Sequence, residues 1–507
     1  MRFSSTLALL LASPLLALAQ YSCDPNVCKL PDCACATTTP PGGLDPAQVP
    51  QFVVFTADDA IQSYTIDAVN QFLAQRKNPN GCKPKMTYFA SLTYTNYSLI
   101  TDWYVAGNEI ADHTITHMGS PTKEEVNGNL IALNALAGIP LSALKGFRAP
   151  LLDFKAETLQ ILHKSQFLYD SSASASVPVT DPNTNAYWPY TLDNGIANNC
   201  DTPGLCNGEP KLPGLWEIPM YAFFDNRGVV GPHLMDPWLR PSFLALRDSA
   251  NGNNAPSDAA TLAFMQKTFT DHYNGKRQPI GLYTHPIHVS LSYPGTTAKK
   301  STIDMINSFL DWAQNHDNVW IVSNEQLLDW VRNPAPASQM SSLASFSCPA
   351  PTYDASAKIC NGVPTSEDGT LARCGFSDFP FFTCYGCPTA VPTVDDPNPA
   401  QSAQTRFRVP ANCSTTYWDP VEGKCLCNSP SCAFTDVARP IGPNDASYQG
   451  GGIGGDFKLL SDGSSTGGGS GSGYAPFNGA QRVQDAVVLW PILLVFLAAA
   501  VFGAVAV

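Results

Sequence analysis

Between residues 50 and 332 the chain alternates short, dense apolar runs with longer stretches whose apolar positions recur at helical spacing. Phe52-Val53-Val54-Phe55 is a β-rich run, and a helical pattern from Tyr64 to Lys77 follows it. Met86 to Phe89 is the next run, and Glu109-Ile110-Ala111 the third, ahead of a helical stretch from Thr122 to Ala137. Leu144 to Phe147, Phe167-Leu168-Tyr169, Trp216 to Met220, Ile280 to Tyr283 and Val319 to Val322 supply the later strand candidates. Such alternation predicts an α/β fold. Reactive side chains stand just past the ends of several runs, so the expectation is a distorted parallel (β/α) barrel of about seven strands rather than an open sheet.

The pattern breaks at both ends. Residues 1–19 have one early Arg, a Leu/Ala-rich core and a small-residue ending, which predicts a secretory signal peptide. Residues 20–45 are a Cys-dense leader with Cys23, Cys28, Cys33 and Cys35. The regular domain then spans 46–332, and 333–438 turns rich in Pro, Ser, Thr and Cys, reading as a disulfide-built module. Within it, Cys348 to Cys360 and Cys413 to Cys425 repeat one spacing around Tyr353-Asp354 and Trp418-Asp419. Those aromatics suit either packing inside a spacer or stacking on sugars, and the spacer is the favoured expectation. Residues 439–485 hold a Gly/Ser tract that cannot build a core, and 486–507 form an apolar tail. The tail follows small residues across a polar spacer, which fits a GPI-type signal better than a permanent span.

Composition narrows the partners. The 507 residues carry 16 Cys and a formal charge of −13, with Asn-x-Ser sequons at Asn96 and Asn412. An exported chain of this kind forms disulfides and carries glycans rather than catalytic thiols. The acidic balance argues against nucleic acid and anionic lipid, and suits a neutral substrate. The expected location is outside the cell, at its surface or wall, with no protein partner implied.

The chemistry-bearing residues sit at the ends of the apolar runs. Asp58 and Asp59 end the first, His113 and His117 follow the third, Arg148 follows Leu144–Phe147, and His285 follows Ile280–Tyr283. Each has an uneventful alternative: a turn acid or helix cap for the aspartates, surface or rim histidines, a surface ion pair for Arg148. Jointly those alternatives require four strand ends to carry such groups by accident. Two His and one carboxylate make a set for a divalent metal, with one carboxylate left to move a proton. The same ligand set serves non-haem iron oxygenases, but the extra Asp, Arg and His point to hydrolysis. A non-catalytic wall-binding protein on an enzyme-like scaffold is the other alternative.

These residues carry a family resemblance. Thr56-Ala57-Asp58-Asp59-Ala60 resembles the Thr-Phe-Asp-Asp-Gly motif of polysaccharide deacetylases of the NodB-homology, carbohydrate esterase family 4 type. His113-Thr114-Ile115-Thr116-His117 meets the family's His-Ser/Thr-x-x-His motif, Arg148-Ala149-Pro150-Leu151 its Arg-x-Pro-Tyr motif, and Leu282-Tyr283-Thr284-His285 its Leu-x-x-His motif. The similarity runs over roughly residues 23 to 330 and is greatest to chitin deacetylases. Ala57 and Leu151 depart from the pattern, Leu151 standing where an aromatic would wall the sugar site. For the fourth motif Asp170 and Trp188 are the nearest candidates, and Cys200 and Cys206 are expected to form a local disulfide beside it.

The resemblance implies metal-dependent N-deacetylation of chitin or chitooligosaccharides, with another acetylated glycan as the alternative. Asp59, His113 and His117 would hold the metal, Zn²⁺ first by the borderline hardness of the set, with Co²⁺ or Mn²⁺ compatible. Asp58 would act as base with Arg148 holding it, and the backbone N–H of Leu151 would stabilise the oxyanion. His285 would donate to the leaving nitrogen, with His288 as its substitute.

Overall fold

The computed structural model describes residues 21–198, 205, 208–225, 233–239, 257–348, 352, 356–402, 406–427 and 434–450. The expected signal peptide, the apolar tail, Tyr353-Asp354 and the Cys200/Cys206 pair lie outside the described residues.

The strands in chain order are β1 Gln51–Asp59, β2 Thr87–Ala90, β3 Glu109–Asp112, β4 Gly146–Phe147, β5 Tyr169–Asp170, β6 Ser174–Ala175, β7 Tyr190–Thr191, β8 Trp216–Glu217, β9 Met220–Tyr221, β10 Ile280–Thr284 and β11 Val319–Val322. Nine of these form one sheet in the order β10-β1-β2-β3-β4-β5-β8-β7, with β11 also on β1. Every pairing in it is parallel except β7 with β8. The sheet is the distorted parallel barrel, with a short antiparallel strand at one edge.

β1 shows why its sequence is apolar throughout. Phe52 and Val54 belong to the interior cluster, while Val53, Phe55 and Ala57 pack in the layer between sheet and helices. Both faces are covered, so a nearly continuous apolar run replaces an alternating one. Parity along the same strand sends Thr56 and Asp58 to the interior as well. Tyr283 fills the barrel beside them, and Gly281 makes room for it, since a Cβ there would lie 2.1 Å from the ring.

The helices α1 Ser63–Leu73, α2 Tyr97–Val105, α3 Lys123–Ala137, α4 Ala156–Lys164, α5 Asp258–Asn274, α6 Lys300–Gln314 and α7 Asn324–Arg332 cover the outer face. Their ends are set locally. α3 starts at Thr122, whose side chain accepts from Glu125 N, and has Glu124 and Glu125 in its first turn; it stops at Gly138 with φ 68°. Among the described residues no helix is long and apolar enough to cross a membrane.

The Cys-rich stretches are stapled onto this frame. Cys23–Cys35 and Cys28–Cys33 close the leader, which joins the sheet edge through Thr191 N donating to Ala34 O at 2.9 Å. Beyond α7, Cys360–Cys384, Cys374–Cys387 and Cys413–Cys425 brace short hairpins. These pack on α2 and α3: the Phe381 ring lies 4.7 Å from Tyr97, and Thr383 Oγ1 donates to Leu136 O at 2.6 Å. Trp418 is buried and donates its Nε1–H to Phe407 O, so this aromatic is spent on packing. The repeated Cys spacing has no matching repeat in the bonds, because Cys348 pairs with Cys82 instead. Such bonds form in an oxidising, extracellular setting.

Candidate metal and catalytic centre

The C-terminal ends of β1, β3, β4 and β10 bring Asp58, Asp59, His113, His117, Arg148 and His285 to one mouth of the barrel. Asp59 ends β1 with φ 86°, and His117 has φ 59°. Side-chain-bearing residues disfavour this left-handed region, and such strain gathers where position matters more than comfort.

Asp59 Oδ1 lies 3.0 Å from His117 Nε2 and 3.7 Å from His113 Nε2. Two donors sharing one tetrahedral zinc at about 2.0–2.1 Å sit roughly 3.3 Å apart, so the spacing suits a common cation. Asp59 Oδ1 is buried without a well-directed hydrogen bond, the state of an atom whose partner is shared rather than donated by a neighbour. The tautomer agrees: His113 Nδ1–H donates to Arg148 O at 2.8 Å, a carbonyl that can only accept, leaving the Nε2 lone pair on the Asp59 side. Burial lowers the His113 pKa to about 4, so the ring is neutral near neutral pH, as a metal ligand must be. Burial by itself would raise Asp59, but His117, His285 and His113 together bring it below the usual carboxylate range. Asp59, His113 and His117 therefore fit a divalent cation.

Asp58 points inward beside them. Arg148, fully buried, donates from Nη1 to Asp58 Oδ1 at 2.8 Å and to Thr56 Oγ1 at 2.7 Å, and from Nε to Ser171 O at 3.0 Å. Its guanidinium also lies 4.1 Å from the centroid of the Phe89 ring. A buried charge needs such a full set of partners. The result is one fixed position for the Asp58 carboxylate.

His285 faces the cluster from β10. Its Nδ1 lies 2.6 Å from Asp236 Oδ2, and Asp236 Oδ1 accepts from His285 N and from Thr284 Oγ1. Burial would lower the histidine, but Asp236 outweighs it, with help from Asp59 and Asp58, and the pKa rises to about 10. The ring is an imidazolium near neutral pH, with Nε2–H as its remaining donor.

Asp236 is the residue that sequence reasoning missed. It sits at φ 45° in the Met235-Asp236-Pro237-Trp238 loop, with no strand pattern to flag it. A second acid paired with a strand-end His was the only signal to look for. The two candidates for that role lie elsewhere. Asp170 alternates with inward-facing Tyr169 and so points out of the barrel, where it binds Ser172 N and Oγ and pairs with the carboxyl of Glu217. Burial pushes Asp170 up to about 6. Ser172 Oγ in turn takes the Ala149 N–H at 2.9 Å, so Asp170 braces the turn after Arg148 from behind. Trp188 is buried in the interior cluster, 5.6 Å from the Trp330 ring. Leu151, on the loop after Arg148, has φ 60° and a 78% exposed side chain.

A parallel half-barrel with a buried Asp-His-His set, an arginine-held aspartate and an aspartate-backed histidine at one mouth defines the polysaccharide deacetylase class. No family model matches the chain. It is 30% identical over 325 residues to chitin deacetylase 8 of Bombyx mori, covering 62% of this chain and 79% of that one. It is 29% identical over 403 residues to chitin deacetylase 1 of the same organism, covering 74% and 68%. A solved putative polysaccharide deacetylase from Mycobacterium smegmatis aligns at 18% identity and a TM-score of 0.37, over 59% of this chain and 95% of the other. The chain belongs to the chitin deacetylase family of polysaccharide deacetylases.

Proposed function

We propose that this protein removes N-acetyl groups from chitin or chitooligosaccharides outside the cell, releasing acetate and leaving glucosamine units. The observation that carries the reading is the opposition of two unlike groups at one mouth: a carboxylate fixed by Arg148 and an imidazolium fixed by Asp236. Amide hydrolysis needs this pair. The amide is resonance-stabilised and its nitrogen leaves poorly, so the attacking water must lose a proton and the nitrogen must gain one.

Asp58 accepts the proton of the attacking water, and Arg148 keeps its carboxylate from swinging away. His285 donates from Nε2 to the departing nitrogen. The backbone N–H of Leu151 is assigned to the developing oxyanion. Asp59, His113 and His117 would hold a divalent cation, zinc preferred, which would supply Lewis acidity and lower the pKa of the attacking water. Chitin is favoured among acetylated glycans because both curated relatives are chitin deacetylases. Attachment at the cell surface by a glycosylphosphatidylinositol anchor that replaces the apolar stretch 486–507 belongs to the same proposal, and release by a phosphatidylinositol-specific phospholipase checks it.

The test is acetate release from chitin and xylan oligomers by the secreted protein, with and without a chelator. Release from chitin oligomers that stops on chelation and returns with zinc is the expected result. His117→Ala is expected to lose the metal by elemental analysis. Full occupancy in that variant would remove His117 from the ligand set, and no acetate from any oligomer would remove the reading.

A further inference from the structure

Nine large apolar side chains stand exposed among the described residues, and four of them precede residue 333: Val27, Met118, Leu151 and Leu291. Single exposed hydrophobics are ordinary. Their placement here is not, because three of the four ride on loops that leave the barrel with site residues. Met118 directly follows His117, Leu151 stands in the loop after Arg148, and Leu291 in the loop after His285.

Two of these loops are fastened together. Ser120 N donates to Asp153 O at 2.6 Å and Ser120 Oγ to Asp153 Oδ1 at 2.8 Å, which sets Met118 and Leu151 on one flank. The Leu291 loop is fastened to α1 instead: Gln71 Nε2 donates to Val289 O at 2.9 Å, and the Tyr64 and Tyr293 rings lie 5.2 Å apart. The strand order β10-β1-β2-β3-β4 puts β10 on one side of β1 and β3 and β4 on the other. The loops that carry these side chains thus leave the sheet on both sides of Asp58 and Asp59 at the end of β1.

The backbone makes a second, independent observation. Leu151 and Leu152 hold consecutive left-handed φ values of 60° and 53°. Glycine or asparagine takes that conformation more readily, and a leucine pushed into solvent by it forgoes burial too. Two unfavourable choices thus coincide at one residue on the loop after Arg148.

Resting on the deacetylase reading, we propose that Met118, Leu151 and Leu291 form an aliphatic rim that receives the N-acetyl methyl groups of the sugar units flanking the one being cleaved, so that runs of acetylated units are preferred over stretches already deacetylated. A pyranose face stacks best on a flat ring, which neither Leu nor Met provides. A methyl group needs only apolar surface. An ammonium produced on a neighbouring unit would be desolvated against these side chains without a partner. The rim therefore discriminates by what the neighbours carry, and the enzyme's own product weakens its grip.

The test compares the metal-loaded full chain on a fully acetylated chitin hexamer and on a hexamer with alternate units deacetylated. Wild-type protein is expected to favour the first by about five-fold or more in kcat/KM, the scale of burying one or two methyl groups on apolar surface. In Met118→Gln/Leu291→Asn, and separately in Leu151→Asn, which suits the left-handed backbone, that preference is expected to shrink through KM. An unchanged preference in both variants overturns the rim, as does a loss confined to kcat. An unchanged preference together with weaker binding to phosphatidylcholine vesicles assigns these side chains to a membrane instead. Absence of acetate from every substrate with wild-type protein sinks the deacetylase reading itself. Calorimetric binding of the two hexamers then judges the rim alone: equal affinities overturn it, and a preference that the variants remove supports it.

Discussion

His285 Nδ1 lies 2.6 Å from Asp236 Oδ2, and that contact does most to keep the ring at the mouth of the barrel protonated. With Asp236 present the histidine rises from 6.5 to about 10 against the opposing effect of burial. A general acid works only while protonated, so this shift sets the alkaline limb of the rate profile. Asp236→Asn removes the charge that raises it, and the alkaline limb is expected to move to lower pH by about one unit or more. The sign for stability is the same. A raised histidine stabilises the fold fully below its unfolded value of 6.5, and the contribution fades as pH climbs through about 10. A profile of kcat/KM against pH that keeps its alkaline limb in the variant would remove Asp236 from this role.

Asp58→Asn preserves shape and abolishes basicity. Because Asp58 faces Arg148 rather than the imidazoles, the metal is expected to stay bound while turnover falls by about 10²–10⁴-fold, the usual worth of a positioned general base. Elemental analysis and acetate release on the same preparation check both halves. Loss of metal would make Asp58 a ligand; retained turnover would give the base to another group.

Arg148 tests whether position or charge matters more. Lys keeps the charge but cannot serve Asp58, Thr56 and Ser171 at once, as the planar fork does. Arg148→Lys is expected to lower kcat with little change in KM. Arg148→Met leaves a buried carboxylate without its partner and is expected to cost about 3–5 kcal/mol of stability, read by thermal unfolding. Wild-type kcat in Arg148→Lys would show that the fork is dispensable, and equal losses in both variants would show that charge without the fork contributes nothing.

How much of this was legible in the chain follows from where each signal lived. β1 was readable because burial on both faces forces a continuous apolar run, and its terminal aspartates fall at the mouth by the geometry of parallel strands. Parity along a strand, applied to β5, would have sent Asp170 outward once Tyr169 was placed inside. Two-residue strands such as β7, next to Pro189, give no period to read. Asp236 was illegible for a different reason: its meaning lies in a side-chain contact to His285, 49 residues away, and its own loop has no pattern. Cysteine spacing is silent on pairing for the same reason: the Cys348–Cys360 interval matches Cys413–Cys425, yet Cys348 and Cys360 bond to other partners.

The Cys82–Cys348 bond gives the last prediction, because it joins residues 266 apart and closes the longest loop among the described disulfides. Its surroundings lie at the closed end of the barrel. Asn80 Nδ2 donates to Phe346 O at 2.7 Å, and Phe346 packs on Phe52 and Trp320, residues near the starts of β1 and β11. Cross-linking so long a loop restricts the unfolded chain strongly, although the entropy grows only logarithmically with length. The double variant Cys82→Ser/Cys348→Ser is expected to lose about 2–5 kcal/mol, read as a lower unfolding midpoint. Metal content and acetate release per folded molecule should stay at the wild-type level, since the catalytic groups gather at the opposite mouth. An unfolding midpoint that does not move would mean that packing around Phe346 already holds the segment in place. Loss of metal with the fold intact would mean that this staple reaches the site through the length of β1.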